Sequence, residues 1–218
     1  MPRLPRVARR RLERRRRFLL GLLTALTIPA ARTAAAANGL TPTPAQTEGP
    51  FYPTRIPADH DADLTQVQGH PVSAQGTRLY LSGRVLAVDG TPQGGARVEL
   101  WQCDALGRYH HAGDEGKPRD DGFQGYGVAV TDADGRYAFK TIRPVAYSGR
   151  VPHLHIKVRT VDGVRLTTQI YVKGDSTSGD PVLAGAPAAI YERLAMALVP
   201  ASGREAGALA GEFDVVLR

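Results

Sequence analysis

From Leu79 onward, apolar and polar residues alternate in short runs that end at turn residues. Leu79-Tyr80-Leu81 and Val85 to Val88 precede Asp89-Gly90, and Ala96 to Trp101 alternates as the next strand. Val128 to Thr131 and Arg136 to Ile142 flank a tight Asp132-Ala133-Asp134-Gly135 turn. Leu154, Ile156 and Val158 form the apolar face of a central strand, which Asp162-Gly163 separates from Leu166 to Val172. Phe213 to Leu217 reads as a last strand. Only between Pro187 and Val199 does the spacing of Ile190, Leu194 and Leu198 fit a short helix. Many short strands with turns about every ten residues predict an all-β protein, an antiparallel β-sandwich over residues 77–218. Residues 38–76 carry six prolines and few apolar runs, which predicts an extended N-terminal arm.

Charge separates a leader from the rest. Residues 1–37 hold ten arginines against one glutamate, whereas the remainder holds 18 Lys and Arg against 20 Asp and Glu. The chain's net charge of +7 therefore belongs to the leader, and the domain has no basic surface for nucleic acid. The arginines run into Phe18-Leu19-Leu20-Gly21-Leu22-Leu23 and then into small residues at Ala34 to Ala37. That is the pattern of an export signal peptide, too short for a membrane span, so no stable span is expected once it is removed. Arg15-Arg16-Arg17-Phe18-Leu19 resembles a twin-arginine signal, whose pathway exports folded proteins, and the expected location is periplasmic or secreted. The single cysteine, Cys103, has no partner for an intrachain disulfide and lies in an apolar strand, where a buried, inert thiol is expected.

Alternation along the central strand also puts His153 and His155 on one face, opposite Leu154, Ile156 and Val158. Two neutral imidazoles on a rigid element suit a borderline metal. Other ligands are open at this level. His60, His70, His110 or His111 would point to zinc or copper, and Asp114, Glu115, Asp120 or Asp121 to a ferrous facial triad. Tyrosines would point to ferric iron, because phenolate is a hard, electron-donating anion. Tyr147 lies six residues before His153 in a loop marked by Pro144 and Gly149, and Tyr109 follows a Gly107 turn. Asp104-Ala105-Leu106-Gly107-Arg108-Tyr109 echoes Asp132-Ala133-Asp134-Gly135-Arg136-Tyr137, so pattern alone does not say which tyrosine does chemistry.

Trp101-Gln102-Cys103-Asp104-Ala105-Leu106-Gly107-Arg108-Tyr109, Phe123-Gln124-Gly125, Thr131 to Tyr137, Ile142-Arg143-Pro144, Tyr147 and Pro152-His153-Leu154-His155 together resemble the intradiol ring-cleavage dioxygenases. That family includes the protocatechuate and catechol enzymes, and the likeness runs in order from about Thr47 to Asp175. The resemblance implies a ferric iron, Fe(3+), held by Tyr109, Tyr147, His153 and His155, and leaves Tyr137 structural. It implies that Tyr147 yields its place to substrate and takes a proton, that Arg150 stabilises developing negative charge, and that Gln169 lies near the oxygen side. The reaction implied opens a catechol-type ring between its hydroxylated carbons with O₂, giving a cis,cis-muconate-type diacid. The short gap from Tyr147 to His153 and the lack of a long helical N-terminal region depart from the better-known cytoplasmic members, so ring substituent and oligomeric state are unassigned. A preference for protocatechuate would imply a cation on the far side of the pocket, for which Arg55 in the arm is a candidate source. Two other classes compete: a transthyretin-like sandwich binding cell-envelope polymers, with the histidines a relic or a zinc site, and a cupin-like Fe(II) oxygenase.

Overall fold

The computed structural model describes residues 39–116 and 118–218. The expected signal peptide at 1–37 lies outside the described residues. Among the described residues ten strands form two facing sheets. In chain order they are β1 (Arg78–Ala87), β2 (Arg97–Trp101), β3 (Tyr126–Val130), β4 (Arg136–Ile142), β5 (His153–Arg159), β6 (Arg165–Val172), β7 (Ala195–Met196), β8 (Leu198–Pro200), β9 (Leu209–Glu212) and β10 (Val215–Leu217). One helix, α1 (Ala188–Leu194), follows β6.

The first sheet is built on β1, which pairs with β4 on one side and with β9 and β10 on the other, β9 carrying β8. The second runs β3-β2-β5-β6-β7. The all-β sandwich with an N-terminal arm and one short helix is as the sequence predicts. Three details differ. The apolar run at 79–81 and the second run as far as Ala87 are one strand, because Ser82, Gly83 and Arg84 keep the alternation while pairing with β4. The helix stops at Leu194, and Leu198 sits in β8, so three matching positions overstated its length. The pairings β1 with β9, β1 with β10 and β6 with β7 are parallel, since the C-terminal strands return after α1 and fill sheet edges.

Period-two alternation builds the core. Leu79, Leu81 and Val85 from β1 meet Val98 and Leu100 from β2, Phe139 from β4, Leu154, Ile156 and Val158 from β5 and Ile170 from β6, all buried. Each such side chain contributes about 1.5–3 kcal/mol on burial. This packing fixes the face that β5 turns away from the core, the one carrying His153, His155 and Lys157.

The arm makes that outer face an interior. Gln46 N donates to Thr167 O, Thr168 Oγ1 to Pro44 O, and Gln169 Nε2 to Thr47 O, laying residues 44–47 across β6. Further on, Val128 N donates to His60 O, Lys140 N to Ala62 O, and Leu64 N to Lys140 O, so the arm also covers the edges of β3 and β4. His153 and His155 are consequently 1% and 2% exposed, although they sit on the non-core side of their sheet.

Candidate metal centre

Strand register assembles the first half of the site. Across the second sheet Trp101 of β2 faces His155 of β5, which faces Gln169 of β6, while His153 faces Tyr171. The Trp101 indole stacks on the His155 ring at 4.8 Å and 12°, and the arm approaches from above at Gly49. Gly49 has φ of 74°, and a Cβ there would lie 3.4 Å from His155 Cε1. Both imidazoles are held neutral. Burial, then the charge of Arg150, lowers the His153 pKa to about 4, and burial, then His153, carries His155 well below the usual range.

Two turns supply the phenols. After β2, Asp104 closes a tight corner: its Oδ1 accepts from Leu106 N and Arg108 N, and its N donates to Arg108 O. Asp132 makes the same three bonds with Asp134, Arg136 and Arg136 O, so the sequence echo is a geometric repeat. The tyrosines that follow diverge. Tyr137 points between the sheets and donates its hydroxyl to Phe213 O at 2.6 Å. Tyr109, anchored by Asp114 Oδ2 accepting from its N, turns towards the histidines. Tyr147 and Arg150 exchange backbone hydrogen bonds of 3.1 and 2.7 Å around Ser148-Gly149, both with positive φ, as a two-residue hairpin turn of this kind requires. The six-residue spacing to His153 thus sets Tyr147 and Arg150 side by side at the mouth of β5.

All four rings converge. Centroids are 5.0 Å apart for Tyr109 and Tyr147, 5.5 Å for Tyr147 and His153, 6.1 Å for Tyr109 and His155, and 4.8 Å for the two histidines. His153 Nε2 and His155 Nε2 are 3.2 Å apart, and His153 Nδ1 donates to Val151 O at 2.6 Å, which leaves its Nε2 lone pair facing inward. Tyr109 Oη is buried without a hydrogen bond. Burial raises the Tyr109 pKa well above its usual value and raises Tyr147 too, although the charge of Arg150 opposes the second rise. Converging nitrogen lone pairs beside an orphaned phenol fit a cation that replaces phenolic protons.

No other candidate His, Asp or Glu among the described residues joins the pair. His111 accepts from Gly113 N and His110 lies 3.4 Å from Asp104. His60 and His70 face backbone carbonyls, Asp120 accepts from Gln75 N and Gly122 N, and Asp121 pairs with Arg119. Among the described residues no three His, Cys, Asp or Glu side chains cluster as a metal site, so only phenols stand beside the histidine pair. Cys103 is buried and burial pushes its thiol up to about 12, as an inert core residue requires.

Arg150 donates through Nη2 to Gln169 Oε1 at 2.6 Å, so these two candidates are joined. Sequence reasoning missed Phe51, stacked on Tyr109 at 4.7 Å, and Tyr171, whose hydroxyl donates to Gln46 and Gln169. The dense aromatic patch at Gly49 to Pro53 was the signal for Phe51; nothing in the β6 pattern singled out Tyr171. Arg55 lines a cavity of about 100 Å³ with Phe51, Tyr109, His111 and Trp101. A larger opening of about 690 Å³ lies between residues 146–152 and 174–178, in front of Tyr147 and Arg150.

A β-sandwich that gathers two tyrosines and a His-x-His pair under an N-terminal arm is the setting in which comparison with known proteins becomes informative. The family model described as Dioxygenase matches residues 47–218, and the chain belongs to the intradiol ring-cleavage dioxygenases. It is similar to the protocatechuate 3,4-dioxygenase beta chain of Burkholderia cepacia, 40% identical over 74% of this chain and 72% of that one. It is 32% identical to catechol 1,2-dioxygenase 1 of Acinetobacter lwoffii over 61% of this chain, spanning only about half (47%) of that relative's length. Among solved structures it is similar to the dioxygenase domain of a carbohydrate-binding fusion protein from Streptomyces sp. SirexAA-E, with TM-score 0.61, 30% identity, and coverage of 81% of this chain and 98% of that one.

Proposed function

We propose that the protein is a non-haem Fe(III) dioxygenase that opens a catechol-type ring between its two hydroxylated carbons with O₂, giving a cis,cis-muconate-type diacid. Tyr109, Tyr147, His153 and His155 would hold the iron, and the convergence of their four rings around the paired Nε2 atoms carries this reading. When bound, the ferric ion supplies Lewis acidity that favours the catecholate form of the substrate and makes its ring open to O₂.

The remaining roles belong to the chain. Tyr147 is the less deeply buried of the two phenols and lines the opening, whereas Tyr109 is enclosed beneath Phe51. Substrate entering from that side meets Tyr147 first, and its phenolate oxygen is placed to accept a catechol proton while Tyr109 stays anchored through its backbone to Asp114. Arg150 lines the same opening and presents a guanidinium to negative charge developing on the ring, an electrostatic role. Gln169, fully buried, links Arg150 to the arm at Thr47 O and so joins substrate-facing charge to the lid over His155. We also read residues 1–37 as a twin-arginine export signal, which places the mature enzyme outside the cytoplasm.

The test is purification followed by iron assay, visible spectroscopy and O₂ uptake with catechol, protocatechuate and hydroxyquinol. The expected protein is red-purple, carries one iron per chain and consumes O₂ with at least one of the three. A colourless, iron-free protein that consumes none overturns the reading. Sequencing the N-terminus of the exported protein tests the leader.

A further inference from the structure

Arg150 is aimed by something the sequence does not announce. Asp180 lies in the connection between β6 and α1, far from any strand pattern, yet it is 1% exposed. Its Oδ2 accepts from Arg150 Nε at 3.0 Å and from Val151 N at 2.9 Å. Its Oδ1 accepts from Arg150 Nε at 3.1 Å, Val182 N at 2.8 Å and Leu183 N at 3.3 Å. A carboxylate offers about four lone-pair sites, and these are filled. Asp180 therefore has no capacity left to bind substrate or shuttle a proton.

What it does have is leverage. The Arg150 guanidinium is gripped at Nε by Asp180 and at Nη2 by Gln169 Oε1, and Gln169 is itself fixed by Tyr171 and Thr47. Of these partners only Asp180 carries charge, and charge-assisted bonds are the stronger and shorter kind. The same carboxylate pins Val151, the residue between Arg150 and the histidine strand. One side chain thus sets both the direction of the guanidinium and the entry of β5. We propose that Asp180 is the positioning residue for Arg150: it holds the guanidinium towards Tyr147 and the opening, and acts on ring cleavage only through that arginine. This rests on the reading of the site given above.

The test uses the full chain with Asp180→Asn, Asp180→Glu, Arg150→Met and the Arg150→Met/Asp180→Asn pair. Asparagine keeps an acceptor for Val182 N and Leu183 N but turns an N–H₂ group towards Arg150 Nε and Val151 N, setting donors against donors. Iron content and colour should stay at the wild-type level in Asp180→Asn, because Asp180 is not a ligand. The kcat should fall by about 10- to 100-fold while KM moves less than about 3-fold. In the Arg150→Met background the same change should cost less than about 2-fold, since the residue it serves is gone. Asp180→Glu keeps the charge but lengthens the arm by one methylene, and it should lose kcat by a similar factor with the fold intact. In metal-free protein, the Arg150 Nε–H resonance, identified by its loss in Arg150→Met, should be protected from exchange in wild type and averaged in both Asp180 variants.

An equal loss in both backgrounds overturns the proposal, as does a protected Nε–H in the Asp180 variants. If wild-type protein holds no iron and has no activity, the functional reading fails. The Nε–H comparison then still decides whether Asp180 holds Arg150.

Discussion

The two echoed corners give the sharpest test of the site, because they place chemically identical side chains in opposite roles. Tyr137→Phe removes a fully buried hydroxyl that donates to Phe213 O at 2.6 Å, and leaves that carbonyl without its partner. The loss is about 1–2 kcal/mol. For a domain of this size it lowers Tm by roughly 2–8 °C. Tyr109→Phe removes a buried hydroxyl that has no hydrogen bond in the metal-free protein. The desolvation cost of such an orphan is about 1–3 kcal/mol, so its removal should leave the metal-free protein as stable as wild type or more so. Metal reverses the order. Iron should raise the Tm of wild type and of Tyr137→Phe by equal increments, and that of Tyr109→Phe by much less, with its visible band weakened or shifted. The assay is a set of thermal melts on chelator-stripped and iron-loaded protein, read beside the visible spectrum. Destabilisation of metal-free Tyr109→Phe by more than about 1 kcal/mol, or bleaching by Tyr137→Phe, would refute the assignment of roles.

Other consequences follow from the same geometry. His153 is held neutral in the fold, with its pKa lowered to about 4, whereas the unfolded chain takes up that proton near pH 6.5. Below 6.5 the unfolded state therefore binds more protons, and the metal-free protein should lose up to roughly 3 kcal/mol as pH falls from 6.5 to 4, with no further loss from this group below that. Denaturant melts across that range check the sign; stability that is flat or rises on acidification would contradict it. Gly49→Val puts a branched side chain at a φ of 74° and against the His155 ring. It should cost about 1–2 kcal/mol and weaken iron retention against a chelator, while a Gly179→Val control, where a Cβ meets nothing within 4 Å at a φ of 80°, should show the backbone strain alone. Lys157 pairs with Glu48 at 2.5 Å and sits 4.0 Å from the Tyr52 ring centroid. Both charges are partly solvated, so Lys157→Met should cost only about 1 kcal/mol in all, yet it should speed proteolytic cleavage near Glu48 to Tyr52 by about 5-fold. Unchanged cleavage would show that the arm is held by its backbone bonds alone.

Which parts of this were readable beforehand depends on the range of the interaction. The sandwich was legible because Leu154, Ile156 and Val158 must alternate to be buried, and that local requirement also puts His153 and His155 on one face. Spacing brought Tyr147 close for a similarly local reason, since the Ser148-Gly149 turn returns the chain at once. What alternation does not show is the environment of that face. A histidine pair on the non-core side of a sheet reads as solvated, and only the hydrogen bonds of residues 44–47 to β6 turn it into an interior.

Tyr109 and Tyr137 mark the limit more closely. Their corners differ in residue type only at Leu106 and Asp134 and make the same hydrogen bonds, and the tyrosines separate because Phe213 O lies beyond one and the histidines beyond the other. Each partner is distant in sequence, 76 residues for Phe213. Asp180 is hidden for the same reason: 30 residues separate it from Arg150. A carboxylate in a polar loop has no periodicity to betray its burial, and its place is set by donors brought from Arg150, Val151, Val182 and Leu183. Of the proposed ligands, His153, His155 and Tyr147 are therefore set by short-range pattern, while the choice of Tyr109 over Tyr137, and the aim and dryness of the site, are set by long-range contacts. Substitutions that preserve the first and break the second, such as Asp180→Asn, should leave iron in place and lower kcat.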